Sequence, residues 1–203
     1  MRKIYNHKNP KTCPNKDAHG VKLTPITNTI TIPNGEFPFA TTNPFLLLSL
    51  LETFHAGLSW LAILRKRENF RRAFDDFDVH KVAAYGPEKI EALCMDKGII
   101  RNRMKIEAAV NNAKAFQNVQ KTYGSFSDYI WAFVNNKPVQ NAFTHLGQIP
   151  TKKILSERVC LSLKKNGFKF IGSVIIYSHM QANGMINDHL VSCFRHEEVK
   201  KLA

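Results

Sequence analysis

Two glycines five residues apart, Gly167 and Gly172, constrain the fold of this chain more than any other feature. Gly167 follows the helix-forming run of residues 161–166, and glycine is the residue that most readily ends a helix in the left-handed conformation. After Gly172, apolar residues recur at helical spacing, and Ser173 is a good N-cap. The sequence therefore predicts two helices joined by a tight turn at residues 168–172, which we call the hairpin.

The hairpin is suited to hold a DNA phosphate. Backbone amides at the start of a helix carry partial positive charge, and Lys169 adds a full charge beside them. This arrangement resembles the helix-hairpin-helix element of DNA base-excision glycosylases, and it makes Gly167, Lys169 and Gly172 candidate DNA-binding residues. The turn alone also allows a second interpretation, an ordinary helical hairpin with two solvated lysines.

The charge of the chain favours the first interpretation. It has 29 lysines and arginines against 16 acidic residues, a net charge of +13, which favours an anionic partner such as nucleic acid over a small neutral ligand. A merely soluble basic surface is the alternative. Arg65 and Lys66 begin a dense group of cations, and they are further candidates for DNA contact; the group is Arg65, Lys66, Arg67, Arg71 and Arg72. Arg101, Arg103 and Lys105 add cations at another turn.

The cysteines indicate a metal site at most. Four cysteines are scattered without a CxxC pair, which fits a reducing compartment better than a disulfide framework. His189 and Cys193 lie four residues apart, so on a helix they share a face and can bind one zinc ion. The alternative is a buried histidine and an inert thiol, and two further ligands would be needed elsewhere.

The remaining pattern predicts an all-α fold with three segments. Residues 1–40 are rich in proline and asparagine and form an irregular N-terminal arm; residues 41–197 form a helical domain, and residues 198–203 a basic tail. Helices are expected at residues 44–55, 61–77, 87–95, 102–119 and 125–134. No run approaches the ~20 apolar residues of a membrane span, and no signal-peptide core is present, so we expect a soluble, cytoplasmic protein that acts as a monomer.

One carboxylate stands out within these helices. Glu52 lies in the apolar run FLLLSLLETF, and no lysine or arginine lies three or four residues away to pair with it. A buried, unpaired carboxylate is costly, so Glu52 is a candidate for a functional pocket. The chain then turns at Gly57, which lets Leu58 project outward while Trp60 faces the same cleft as Glu52.

Four long motifs agree with one known family. HAGLSWLAILRKRENFRRAF, GIIRNRMKIEAAVNNAKAF, SFSDYIWAFVN and LKKNGFKFIGSVIIYSHMQANGMINDHLVSC occur in this order over about residues 44–193. Together they resemble the constitutive, type I bacterial 3-methyladenine DNA glycosylases of the helix-hairpin-helix superfamily. The resemblance implies a helix-hairpin-helix fold, excision of N3-methylated adenine as the free base from double-stranded DNA with alkylated bases, and one structural zinc ion.

The resemblance also implies roles for individual residues. Glu52 matches the catalytic pocket carboxylate that hydrogen-bonds the flipped base, and Trp60 matches an aromatic wall of that pocket. Gly57 and Leu58 match the turn that enters the gap left in the duplex. His189 and Cys193 match two zinc ligands. Asn187 falls where many helix-hairpin-helix glycosylases have a catalytic aspartate, and type I enzymes likewise lack a carboxylate there.

The N-terminal arm departs from the family pattern. Ile30, Thr31 and Gly35 stand where the family has a pocket tyrosine, a zinc-binding histidine and a pocket tryptophan. Cys13 and His19 are the residues in the arm that could complete a zinc site. Two function classes therefore remain open, a base-excision glycosylase with a diverged arm and a catalytically degenerate DNA-binding relative.

Overall fold

The structure is a computed structural model that describes Phe54, Gly57, Leu58 and residues 60–201, without the side chains of Trp60, Leu61 and Leu64. The predicted N-terminal arm and most of the predicted helix at residues 44–55 lie outside the described residues; Phe54 is helical and fully buried. The described helices are α1 Trp60–Arg65, α2 Arg67–Ala73, α3 Val79–Ala83, α4 Pro87–Met95, α5 Arg103–Tyr123, α6 Phe126–Trp131, α7 Ile154–Lys165, α8 Ser173–Ala182 and α9 Phe194–Lys201.

The predicted all-α class is confirmed. Helix α4 has the predicted bounds, with Pro87 as its first residue, and α5 and α6 begin after the side-chain caps of Asn102 and Ser125. Ser173 is the first residue of α8 and not its cap, because the N-cap is Gly172. The described residues contain one small sheet, a parallel pair formed by β1 Val139–Gln140 and β2 Ile186–Asn187.

The segment predicted as one helix at residues 61–77 is broken twice. At Lys66 the chain leaves helical geometry, and its amide bonds to the carbonyl of Ile63, which separates α1 from α2. A second break follows α2, where the 3₁₀ turn Asp75–Phe77 contains left-handed residues. These breaks place the side chains of Phe70, Phe74 and Phe77 in the core, where each has no exposed surface.

Helix α5 is the central element of the fold. It runs for 21 residues and packs against α3, α4 and α6, burying apolar residues such as Ile106, Val110 and Phe116. At one end of the core, the ring of Phe54 meets the ring of Phe70 edge to face, with centroids 4.7 Å apart. Helices α7 and α8 pack on each other and present the hairpin between them.

The C-terminal boundary differs from the prediction. Helix α9 continues through residue 201, so the predicted start of a basic tail at residue 198 falls within a helix. Val199, on that helix, is only 6% exposed, because it packs inward. Within the described residues, every helix is too short or too polar to cross a lipid bilayer.

Candidate nucleic-acid interface

The hairpin begins with a glycine that the backbone requires. Gly167 has φ +88°, and its amide donates to the carbonyl of Lys164 (3.0 Å) while the amide of Phe168 donates to that of Leu163 (3.1 Å). These two bonds form a Schellman motif that satisfies the last carbonyls of α7. Phe168 is buried, with its ring 6.1 Å from that of Phe126, so the start of the hairpin is anchored in the core.

Beyond Phe168 the side chains of two hairpin residues face outward, whereas that of Ile171 is buried. Lys169 is exposed, and Phe170 is 40% exposed with an unfavourable φ of +55°. Within the described part of the chain, the amides of Phe170, Ile171 and Gly172 donate to no acceptor. Gly172 caps α8 with extended backbone and no side-chain cap, and a Cβ added there would meet nothing within 4 Å. The arrangement leaves amides, a helix start and one ammonium group open to an anion.

The predicted cations after Trp60 lie in different environments. Arg65 is exposed. The ammonium of Lys66 donates to the carbonyls of Lys97 (3.2 Å) and Gly98 (3.0 Å), so it holds α2 to the turn after α4. Arg71 pairs with Asp76 at 2.9 Å. Exposed pairs of this kind contribute little to stability, so Arg71 can exchange its partner for a phosphate.

Lys105 is buried, although the sequence pattern placed it among the cations of an exposed turn. Its side chain is buried, and Nζ donates to the backbone carbonyl of Phe54 at 3.1 Å. Burial lowers the pKa of this ammonium below its usual value. The residue therefore links α5 to the chain just after Glu52, and it does not extend the surface charge. The alternation of charge in RNRMK gives no sign of this, because a cation within a basic run usually faces solvent.

The structure describes part of the predicted base pocket and of the turn at Gly57 and Leu58. Gly57 has φ +80°, and Leu58 is 40% exposed, as expected of a side chain that projects from a turn. Trp60 begins α1, but its side chain lies outside the described residues. Glu52 lies outside them as well. The roles of Glu52 and Trp60 in the base pocket therefore stay predictions.

His189 and Cys193 come together, but not on a helix as their spacing implied, because residues 189–193 form a loop and turn that precede α9. The Nδ1 atom of His189 lies 3.9 Å from Sγ of Cys193, which is buried and disulfide-bonded, contrary to the expectation that the cysteines are reduced. Two ligands of one tetrahedral zinc ion, with ordinary Zn–N and Zn–S bonds, stand roughly 3.5 Å apart, so the pair fits such a site closely. Burial, followed by the nearby His196, lowers the pKa of His189, which favours the neutral imidazole that metals bind.

Two more ligands would have to come from elsewhere. Within the described residues, no group of three or more metal-binding side chains gathers. The predicted completions, Cys13 and His19, lie outside those residues. The zinc site therefore stays a prediction.

Asn187 and Asp188 have structural partners. The Asn187 amide donates to Gln140 and to the carbonyl of His196. The buried carboxylate of Asp188 accepts from Tyr177 (2.6 Å) and from two amides. Burial, then this hydrogen bond, raises the pKa of Tyr177 above its usual value. These three donors satisfy the oxygens of this buried carboxylate. The sequence pattern did not indicate this cluster, since Asn141 lies 47 residues from Asp188 and the other two donors belong to α8.

Comparison with known proteins decides the family. The family model for methyladenine glycosylases matches residues 40–196. The chain belongs to the methyladenine glycosylase family. It is 48% identical over 143 residues to DNA-3-methyladenine glycosylase 1 of Escherichia coli K12, covering 70% of this chain and 76% of that protein. It is 46% identical to the DNA-3-methyladenine glycosylase of Haemophilus influenzae Rd, covering 70% and 77%.

A solved structure agrees with this assignment. The structure of 3-methyladenine DNA glycosylase I from Staphylococcus aureus, which describes how that enzyme recognises 3-methyladenine, superimposes with a TM-score of 0.81 at 35% identity. The superposition covers 89% of this chain and 95% of that one. The methyladenine glycosylase match includes the hairpin and the positions of Glu52 and Trp60, but it begins after Cys13 and His19.

Proposed function

We propose that this protein is a monofunctional DNA-3-methyladenine glycosylase, which hydrolyses the N-glycosidic bond of 3-methyladenine in alkylated DNA and releases the free base. The observation that carries the proposal is the family match over residues 40–196, because it includes the candidate pocket and the hairpin together. The names of the two relatives, and the recognition of 3-methyladenine by the staphylococcal enzyme, support the same substrate. We further propose double-stranded DNA as the form bound and a cytoplasmic monomer as the acting species.

The chemistry requires little beyond a base pocket. N3-methylated adenine is cationic while it is attached to deoxyribose, so it can leave as a neutral base with the electron pair of the glycosidic bond, and water takes its place on the sugar. The bond is therefore weak before any protein group acts. A carboxylate at Glu52 would hold the flipped base by its exocyclic amine and favour its cationic form, and the indole of Trp60 would stack on it. Extrusion from the duplex costs a few kcal/mol, and less for a damaged base. Leu58 would fill the gap that the extruded base leaves.

Base release tests this assignment. A methylated duplex is incubated with the protein, and free 3-methyladenine is measured by chromatography. We expect release by the wild type and at least a roughly tenfold slower release by Glu52→Gln, a loss typical of a positioned catalytic group. Glu68→Gln is the matched control, because Glu68 is exposed on α2. A wild type that binds duplex DNA and releases no base would favour the alternative, a catalytically degenerate DNA-binding protein, which the changes at Ile30, Thr31 and Gly35 favour.

We also propose one structural zinc ion held by His189 and Cys193, with Cys13 and His19 as the completing ligands. The 3.9 Å separation of the first two supports this, and once its disulfide is reduced Cys193 would supply the soft thiolate that zinc binds beside imidazole. Such an ion would tie the N-terminal arm to the segment before α9. It would supply stability and no catalytic step.

Elemental analysis of protein purified without a metal-binding tag tests the zinc proposal. We expect one zinc per chain in the wild type and in Cys94→Ser, since Cys94 is a free thiol on α4. We expect none in Cys193→Ser, together with a lower melting temperature. Wild-type protein without zinc, or full zinc content in Cys193→Ser, would contradict the assignment.

A further inference from the structure

A buried amide on α5 is bonded to the backbone of the hairpin. Asn112 has no exposed surface, and its Nδ2 donates to the carbonyl of Lys169 at 3.0 Å. Its Oδ1 accepts from the amide of the same residue at 2.8 Å. One residue earlier on α5, Nδ2 of Asn111 donates to the carbonyl of Gly167 at 2.7 Å. Helix α5 therefore forms hydrogen bonds to the hairpin backbone on both sides of Phe168.

The paired bonds fix the direction of the hairpin amides. A carboxamide presents one donor and one acceptor side by side, so it can bind the N–H and the C=O of a single residue, and few other side chains can. Both polar groups of the Lys169 backbone are thus turned inward. The three amides that follow, at residues 170–172, face no acceptor within the described part of the chain. Phe170 keeps its φ of +55°, which a non-glycine residue adopts only when its surroundings hold it there.

We propose that Asn112 is a positioning residue for DNA binding, which aims the amides of the hairpin at a phosphate without touching DNA itself. The proposal rests on the proposed function, in that the hairpin must contact DNA. It differs from a purely structural role for Asn112 in one respect. Loss of the paired bonds should weaken duplex binding while the remainder of the protein, including the base pocket, stays intact.

The substitution Asn112→Asp separates these roles. Aspartate keeps the shape and the acceptor, but it places an oxygen 3.0 Å from the carbonyl of Lys169 where the amide donated. Asn118→Asp is the matched control, because Asn118 is exposed on the same helix and the change of charge is identical. Affinity for an undamaged duplex is measured by fluorescence anisotropy, and binding of free 3-methyladenine by calorimetry.

We expect Asn112→Asp to bind duplex DNA about tenfold more weakly than Asn118→Asp, the effect of one lost hydrogen bond and a repulsive contact. We expect it to bind free 3-methyladenine within about twofold of the wild type, since the base pocket is unchanged. Equal duplex affinities for the two variants would overturn the proposal. So would an equal loss of duplex and free-base binding, because that result indicates general damage to the fold.

A double-mutant cycle with Lys169 adds a readout that stability alone does not move. Lys169→Gln should weaken duplex binding in the wild-type background and have less than about half that effect, in free energy, beside Asn112→Asp, because the hairpin is already misdirected. If the two substitutions reduce duplex affinity independently, so that their fold-changes multiply in the double variant, the proposal is contradicted. If Asn112→Asp does not fold, as judged by circular dichroism, Asn112→Ala with Asn118→Ala as its control is subject to the same thresholds. Absence of base release by the wild type bears on the proposed function, and the duplex comparison remains interpretable.

Discussion

Two glycines bound the hairpin, and they meet different physical needs. Gly167 has φ +88°, in the region that residues with a Cβ avoid. Gly172 has φ −135° and ψ 160°, which any residue adopts, and a Cβ there would meet nothing within 4 Å. The first glycine therefore serves the fold, whereas the second keeps the surface in front of the helix start clear.

This difference predicts opposite phenotypes for two alanine substitutions. Gly167→Ala should lower the free energy of unfolding by about 1–2 kcal/mol, the strain of a left-handed alanine. Gly172→Ala should change stability by less than about 0.5 kcal/mol, yet weaken duplex binding several-fold, because a methyl group would obstruct the close approach of a phosphate. Chemical denaturation and anisotropy measure the two quantities. Equal duplex affinity of Gly172→Ala and the wild type would contradict the second expectation.

A buried histidine makes stability depend on pH. Burial lowers the pKa of His179 to about 4, and the side chain is 1% exposed. In the unfolded chain the imidazole takes up a proton below pH 6.5, whereas in the folded chain it stays neutral down to about pH 4. The stability that His179 contributes is therefore complete above pH 6.5 and declines as the pH falls toward 4.

Because of His179, the free energy of unfolding should fall by about 3 kcal/mol over this pH range. Urea unfolding at pH 7 and at pH 4.5 should show a smaller difference for His179→Gln than for the wild type. His80→Gln, at an exposed histidine, should keep the wild-type difference. Part of the slope should persist in His179→Gln, because burial also lowers the pKa of His189. An unchanged difference in His179→Gln would exclude His179 as the cause.

At the scale of the element, α9 shows what the sequence could not reveal about the C-terminus. Half of residues 198–203 are charged and the other three are aliphatic, so composition favoured a solvated basic tail. The structure extends α9 to Lys201, with Val199 buried and Arg195 bonded to Glu198. One buried valine in a short helix is too small a signal for hydrophobic periodicity to detect.

Truncation tests the role of this helix. A chain ending after Glu197 should be less stable by about 2 kcal/mol, because Val199 leaves the core and the last turns of α9 are lost. A chain ending after Lys201 is the control and should melt with the wild type. Differential scanning calorimetry measures both. Identical melting temperatures for the two truncations would show that residues 198–201 contribute nothing to stability.

The other elements were predictable to different degrees. Helix α4 and the starts of α5 and α6 followed from Pro87, Asn102 and Ser125, because caps act locally and are visible in sequence. The break at Lys66 was not predictable, since its ammonium bonds to carbonyls some thirty residues away. The hairpin followed from its glycines, but its support by Asn112 did not, because the two segments are 57 residues apart.

At the scale of the whole molecule, the charge of +13 predicts strong dependence of DNA binding on salt. The logarithm of affinity should fall linearly with the logarithm of salt concentration. Lys169→Gln should reduce the slope by about one, because one phosphate contact releases about one counterion. Lys121→Gln is the control, on the exposed last turn of α5 and roughly 13 Å along that helix from Asn112. The same slope in the wild type and Lys169→Gln would remove Lys169 from the interface.

The two-residue strands β1 and β2 pair residues that are 47 positions apart, with Val139 facing Ile186 and Gln140 facing Asn187. Between them lie α7, the hairpin and α8. The pairing therefore brings together the two ends of the chain segment that contains the hairpin, so this segment is held at both ends. Closing such a loop has an entropic cost that grows only slowly with its length. Loss of the β1–β2 pairing would therefore release the whole segment at once. Residues 139–187 should accordingly open as one unit, and their slowest amide protons should exchange with deuterium at a common rate.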